Sequence, residues 1–302
     1  MGLASRKPLS YAGSEHPLWT HSMHDDGRKI LEVWCENIPG LVRTGTCSWA
    51  LQGKTEISYP RGGHASIADI EESSFWFKHR NAVIAAVVRR FPPPGPVFDI
   101  GGGNGYVSLG LCRAGFDCLV IEPGPIGAHN ALGRGLAVVQ APFQDLMIAD
   151  ASIPAAGLFD VLEHIQDDRG ALTNLHRVLQ PGGRLYIAVP AYNFLWSGED
   201  DHAGHFRRYT LNLLRQRLVE AGFTVDYGTY FFLILLLPVF LLRALPAKFG
   251  ISIVNDPGQD HAAPVGFVSR LLKRSFAWER RRIEAGKTFP LGASCLVVAR
   301  KP

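Results

Sequence analysis

No two of the five cysteines (Cys35, Cys47, Cys112, Cys118 and Cys295) stand in a C-x-x-C pair, so zinc-finger ligand spacing is missing. A chain of 302 residues does not need disulfides to complete its core, and these thiols are expected to be reduced and buried. Charge of one sign is also scarce. The net charge is only +4 and most basic residues are dispersed, which argues against nucleic acid as a partner. The apolar run Tyr230–Leu242 has thirteen residues and contains Pro238, too little for the roughly 18 residues of a membrane span. The N-terminal MGLASRKPLS has no apolar stretch of the secretory kind, making the cytoplasm the expected address, with peripheral contact at the inner membrane face as a further option. What is present is a globular composition, 47% apolar and 19% charged.

Residues 1–68 carry short, broken hydrophobic patterns interrupted by His16-Pro17, Pro39-Gly40 and Gly62-Gly63, and are expected to form a partly irregular extension. From Phe75 the apolar spacing suits a helix to about Arg90, stopped by Pro92-Pro93-Pro94. Strand-like and helix-like stretches then alternate. Strands are expected at Pro96–Ile100, Asp117–Ile121, Leu136–Gln140, up to Asp160, at Arg184–Val189, Phe223–Tyr227 and Ser294–Ala299. Helices are expected at Asp168–Leu179 and Thr210–Ala221, the latter closed by Gly222. This alternation predicts an α/β fold: a doubly wound, mostly parallel, seven-stranded sheet with helices on both faces. Residues 69–229 and 291–302 would form that domain. Residues 230–290 would insert an apolar helix and a basic stretch before the last strand.

The most informative stretch is Val97-Phe-Asp-Ile-Gly-Gly-Gly-Asn-Gly105. A nicotinamide site wants G-x-G-x-x-G, but one register puts Tyr106 in the third place and the other puts Asn104 in the second. The spacing that fits is D-x-G-x-G-x-G, with Asp99, Gly101, Gly103 and Gly105. An acidic residue before the glycines opposes a pyrophosphate and suits a cofactor with a cationic sulfonium and an ammonium group. The second strand ends in Glu122, where a carboxylate can accept hydrogen bonds from both ribose hydroxyls of a nucleoside.

On these residues the chain resembles the class I, Rossmann-like S-adenosylmethionine-dependent methyltransferases. The resemblance runs through Leu158-Phe-Asp-Val-Leu-Glu-His-Ile165 and Arg177-Val-Leu-Gln-Pro-Gly-Gly183 to the closing strand, and around Phe159–Asp168 and Leu195–Tyr209 it is similar to an uncharacterised bacterial subgroup. It implies S-adenosyl-L-methionine as cofactor, held by Asp99, Gly101, Gly103, Gly105, Glu122 and Asp160, with Phe143 flanking the adenine. Gln140-Ala141 stands where many relatives carry Gly-Asp.

Candidate chemistry gathers after the fourth strand. His164 or His205 could take the proton of an acceptor hydroxyl, since an imidazole titrates near neutrality. Asp160-x-x-Glu163-His164 is also similar to the acidic-His cluster of metal-assisted O-methyltransferases, with His202 and His205 available to complete a shell for a divalent metal. The preferred expectation is a structural or substrate-shaping use of Asp160, Glu163, His164 and His205, with no metal. Arg207 and Arg208 could grip an anion, or brace their loop by pairing with Glu199 or Asp200. Tyr230–Leu242 is expected to be a buried helix covering the sheet, the alternatives being a lipid pocket or a membrane surface.

The expected function is therefore methylation, at an oxygen, of a small or lipid-like acceptor. Three alternatives stand beside it: a non-catalytic S-adenosylmethionine-binding protein, a membrane-associated protein and a nicotinamide-dependent oxidoreductase. The absence of a Tyr-x-x-x-Lys pair speaks against the oxidoreductase. The absence of an Asn-Pro-Pro-Tyr-type tetrapeptide speaks against methylation of nucleic-acid bases.

Overall fold

The computed structural model describes residues 25–52, 70–250 and 266–302. In chain order the first elements are α1 (Asp25–Glu36), β1 (Leu41–Gly45), β2 (Ser48–Leu51), α2 (Phe75–Arg90), β3 (Val97–Ile100), α3 (Tyr106–Arg113), β4 (Cys118–Ile121), α4 (Pro125–Gly133) and β5 (Ala137–Gln140). Then come β6 (Ile153–Phe159), α5 (Asp168–Val178), β7 (Leu179–Pro190), α6 (Gly198–Ala203), α7 (Leu211–Glu220) and β8 (Thr224–Phe231). A helical segment α8 (residues 236–248), with a π-helical middle at Phe240–Ala244, precedes α9 (Phe267–Glu284) and β9 (Ser294–Arg300).

The strands form one sheet in the order β1-β2-β5-β4-β3-β6-β7-β9-β8. From β2 through β7 neighbours run parallel, whereas β9 is antiparallel to both β7 and β8. Strands β3, β4 and β6 are buried at every residue, as parallel strands covered on both faces must be. The strand order reverses around β3. A crevice therefore opens beyond the carboxyl ends of β3, β4 and β6, where doubly wound sheets bind their ligands.

The α/β architecture matches the expectation, but the sheet has nine strands, not seven. The two additional strands come from residues expected to be irregular. β1 and β2 form an antiparallel hairpin, and β2 adds to β5 in parallel, with Ser48 opposite Val138. Trp49 is buried on this hairpin, and the α1 residues Leu31 and Cys35 are buried with it. Trp34 meets Phe98 of β3 edge-on, at 4.6 Å between ring centres. Strands of four and five residues are too short to show a period in the sequence, and tertiary burial stabilises them instead. The described part of the extension is thus continuous with the sheet. All five cysteines are buried and none is in a disulfide.

Tyr230–Leu242 also departs from expectation. Tyr230 and Phe231 complete β8, Phe232 turns the chain in the left-handed region at φ +61°, and the helix that follows is not buried. Leu237, Leu241 and Leu242 are exposed along α8. A left-handed phenylalanine needs outside support. It comes from α9: the buried carboxylate of Glu279 accepts the backbone N–H groups of Phe232 (2.9 Å) and Leu233 (2.8 Å) and meets His79 Nε2 of α2 at 2.6 Å. Trp76 stacks on the Phe232 ring at 3.8 Å. The basic residues Arg270, Lys273, Arg274, Arg281 and Arg282 lie on the exposed side of α9, while Phe276, Glu279 and Ile283 face the protein. Residues 251–265 of the expected insertion, and 1–24 and 53–69 of the extension, lie outside the described residues.

Candidate active site

The turn from β3 into α3 is built by its glycines. Gly101, Gly103 and Gly105 all have positive φ, at 68°, 54° and 74°. Gly101 and Gly103 line a cavity of about 1430 Å³, together with Asp99, Gly102, Asn104 and Tyr106. Gly105 does not line it, contrary to its expected place in the binding set. A Cβ there would stand 2.5 Å from Leu136 Cδ1 and 2.9 Å from Ala131 Cβ. Its role is close packing of the turn against α4 and β5. Gly105→Ala combines that clash with left-handed strain and is expected to cost about 1–3 kcal/mol. In a denaturant titration this reads as a lower midpoint with unchanged slope.

Two buried carboxylates flank the turn. Asp99 Oδ2 accepts a hydrogen bond from Ser108 Oγ at 2.6 Å, while Oδ1 is buried with no hydrogen-bond partner. Burial pushes its pKa up to about 6 against the opposing Ser108 bond. Glu122 stands just past the end of β4. Its Oε1 accepts the Gly124 N–H (2.6 Å) and its Oε2 the Gly103 N–H (2.9 Å), so the carboxylate is fixed from both sides. Burial raises it to about 7, opposed by those two bonds. Phe143 opens a 3₁₀ turn after β5 and lines the same cavity beside Pro142 and Gln144.

Beyond β6, Asp160 adopts φ +57° and forms an ion pair with Arg80 of α2. Glu163 and His164 lie in the next turn, on the cavity wall. The loop after β7 brings His205 to them: the His164 and His205 rings meet at 4.7 Å between centres. Burial and then the neighbouring His205 lower His164 to about 4, so it stays neutral at physiological pH. His205 Nδ1 bonds Asp200 Oδ1 at 2.8 Å. Burial alone would raise Asp200, but hydrogen bonds from His205 and Arg208 outweigh it and hold the carboxyl at about 2.

Some expected partners are placed elsewhere. His202 is exposed and outside the group that Glu163, His164 and His205 form. Arg208 grips Asp200 through Nε (2.7 Å) and Nη2 (2.9 Å), and Arg207 pairs with Asp168 at 3.0 Å. Both arginines therefore brace their loops. The residues that sequence reasoning passed over are Arg80, Asp200 as the support of His205, and Glu279. Arg80 and Glu279 sit on helices with no motif around them; the ion-pair partner of Arg80 lies 80 residues away and those of Glu279 lie 46 to 200 residues away. No local signal marks them.

The cavity is lined by the polar groups of the glycine turn and also by the apolar side chains of Phe75, Trp76, Leu235, Val239, Leu242 and Leu271, which come from α2, from α8 and the turn before it, and from α9.

A methyltransferase-domain family model matches residues 76–227. A Mycobacterium tuberculosis protein named "probable S-adenosylmethionine-dependent methyltransferase" is 25% identical over 165 residues, covering 53% of this chain and 60% of that protein. The chain thus spans about 60% of the length of that relative. An uncharacterised methyltransferase of Mycobacterium sp. strain JLS is 33% identical over 104 residues, 34% of this chain and 40% of that one. Among solved structures, the methyltransferase from a complex with the Haloferax volcanii Trm112 activator aligns with a TM-score of 0.51 at 19% identity, covering 80% of this chain and 96% of that one. A Haemonchus contortus phosphoethanolamine N-methyltransferase, solved with S-adenosylhomocysteine, gives 0.51 at 16% identity, covering 82% and 59%. At these identities the structural matches speak for the fold alone. The family model, the glycine turn and the reversal of strand order around it agree: this chain belongs to the methyltransferase-domain family.

Proposed function

We propose that the protein transfers a methyl group from S-adenosyl-L-methionine to a hydroxyl oxygen of a small, lipid-like acceptor. The observation that carries this reading is one cavity lined by two chemistries: a glycine cradle with two buried carboxylates, and a set of apolar side chains from α2, α8 and α9. The cofactor fits the cradle on its donor set. Asp99 offers a buried oxygen without a partner, suited to a positively charged group. Glu122 offers a carboxylate already fixed by two backbone bonds, suited to the two ribose hydroxyls. Phe143 supplies an apolar face for the adenine. The bound cofactor supplies an electrophilic methyl group on a cationic sulfur.

The chain's own residues do the rest. Asp160, held by Arg80, shapes the junction between cofactor and acceptor. Glu163, His164 and His205 form the polar floor at which the acceptor hydroxyl gives up its proton. The apolar wall orients the acceptor and excludes water, which supplies proximity without chemistry. That wall continues onto the exposed side of α8, which supports a lipid-like acceptor and peripheral contact with a membrane surface. No helix among the described residues is long and apolar enough to cross a membrane.

Calorimetric titration with S-adenosylhomocysteine and with NADH tests the cofactor. Binding of the adenosyl ligand with no heat from NADH is expected. NADH binding alone would favour the nicotinamide alternative. Adenosyl binding without methyl transfer to any hydroxylated lipid offered would favour the non-catalytic one.

A further inference from the structure

The side chain of Glu163 is almost completely buried, and neither of its carboxylate oxygens has a hydrogen-bond partner. A buried carboxyl left this way is costly, by several kcal/mol if charged, and native structures rarely tolerate it. The cations nearby are already committed: Arg80 to Asp160 and Arg208 to Asp200. What faces Glu163 instead is a pair of imidazoles. One donor atom from each of Glu163, His164 and His205 lies within 4.8 Å of the other two. Each ring is also held from outside the group. His205 Nδ1 is bonded to Asp200, and the His164 ring meets the backbone of Ala203. Such outer partners fix a ring's tautomer and leave its other nitrogen as an electron-pair donor.

We propose that Glu163, His164 and His205 bind a divalent transition-metal ion at the floor of the cavity. Two imidazoles and one carboxylate suit Zn²⁺, Mn²⁺, Co²⁺ or Fe²⁺ better than the hard, all-oxygen-seeking Mg²⁺. Metal bonds of about 2.0–2.2 Å require the three donors to close up by roughly 1 Å, a side-chain adjustment. Asp160 is not in the set, because Arg80 holds it, and His202 is not, because it is exposed. The proposal departs from the sequence expectation of a metal-free cluster, and it does so on the unpartnered carboxylate and the delivery of His205 by the loop after β7.

The role of the ion rests on the methyl-transfer reading; its binding does not. Three protein ligands would leave the ion with coordination positions that an acceptor hydroxyl in the cavity could take. An acceptor hydroxyl there has its pKa lowered by the positive charge and releases its proton to solvent. The oxygen lone pair then forms the new C–O bond as the C–S bond of the sulfonium breaks, and S-adenosylhomocysteine leaves neutral. In this account neither His164 nor His205 need act as the base, because both are ligands.

The test uses the full chain, stripped with EDTA and titrated with Co²⁺ under visible absorption and with Mn²⁺ under electron paramagnetic resonance. One ion per chain is expected, with nitrogen coordination in the spectra. E163Q and H205A are expected to weaken binding at least a hundredfold, and D200N about 10–100-fold, the usual range for an orienting partner. H202A should change nothing. E163Q replaces the buried carboxyl by an amide of the same shape and should fold, checked by its melting curve and by S-adenosylhomocysteine titration. No saturable binding in well-folded protein, or binding equally tight in E163Q, overturns the proposal. If the adenosyl ligand binds and Co²⁺ does not, the ion fails and the methyl-transfer reading stands. If Co²⁺ binds and the adenosyl ligand does not, the reverse holds.

Discussion

Replacing Glu122 with alanine is expected to weaken S-adenosylhomocysteine binding by roughly two orders of magnitude. The carboxylate is held by the Gly103 and Gly124 N–H groups, so it need not be ordered when ligand arrives. Two ribose hydroxyls donating to a charged acceptor are worth about 1.5–3 kcal/mol each, and about 2.8 kcal/mol in sum is already a factor of 100. Part of any loss could come from the two backbone N–H groups left without their acceptor, so the melting temperature must be read alongside. Glu122→Gln keeps the shape and one acceptor oxygen, and should lose less. The pH dependence gives an independent check. In the ligand-free chain burial raises Glu122 to about 7 and Asp99 to about 6, and the ligand selects the ionised carboxylates. Binding therefore releases protons, and affinity should fall as pH drops through 7 and again through 6, approaching tenfold per unit. Calorimetry in buffers of different ionisation heat would detect the released protons. A flat affinity from pH 8 to pH 6 would mean that Glu122 is already ionised in the ligand-free chain, and the Glu122→Ala titration would then decide its part in the site alone.

The second large effect is structural. Arg208→Ala should lower the melting temperature by about 8–15 °C. The Asp200 side chain is fully buried and carries its charge because Arg208 pairs with it twice, with Ser197 and His205 completing its partners. Removing one member of a buried pair leaves the other uncompensated, at about 3–5 kcal/mol, and each kcal/mol moves the midpoint of a domain of this size by about 2–4 °C. The sign with pH follows from the depressed carboxyl. Its contribution is fully present above the ordinary Asp range and is lost as pH falls toward about 2. The defect should therefore be constant between pH 5 and 8. Arg208→Lys cannot make the double contact and should recover only part of the loss. Scanning calorimetry of both variants decides this. An unchanged midpoint for Arg208→Ala would mean that Asp200 is held by something other than the pair.

The glycine turn and its flanking carboxylates were legible because their determinants are local. A strand, a turn that needs positive φ and a helix follow within a dozen residues, and only glycine meets both the backbone and the contact requirements there. Glu122 was legible for the same reason: it ends the next strand. Gly105 shows the limit of such reading, since a motif position can serve packing and not the ligand. The side of the cavity beyond β6 was not legible in the same way. Arg80 and Glu279 act across separations of 46 to 200 residues, and nothing in their neighbourhoods distinguishes them from solvated charges. The hairpin of β1 and β2 was missed because it has no period of its own, and burial against β5 stabilises it.

By itself, then, the sequence determined the class of fold, the strand–helix alternation and the carboxylate-flanked glycine turn, all of which depend on propensity and spacing along a few consecutive residues. Only the tertiary structure decided the ninefold sheet, the exposure of α8, and the meeting of a buried, unpartnered Glu163 with two histidines. Those outcomes depend on which distant surfaces pack together and which polar atoms are left without a partner when they do.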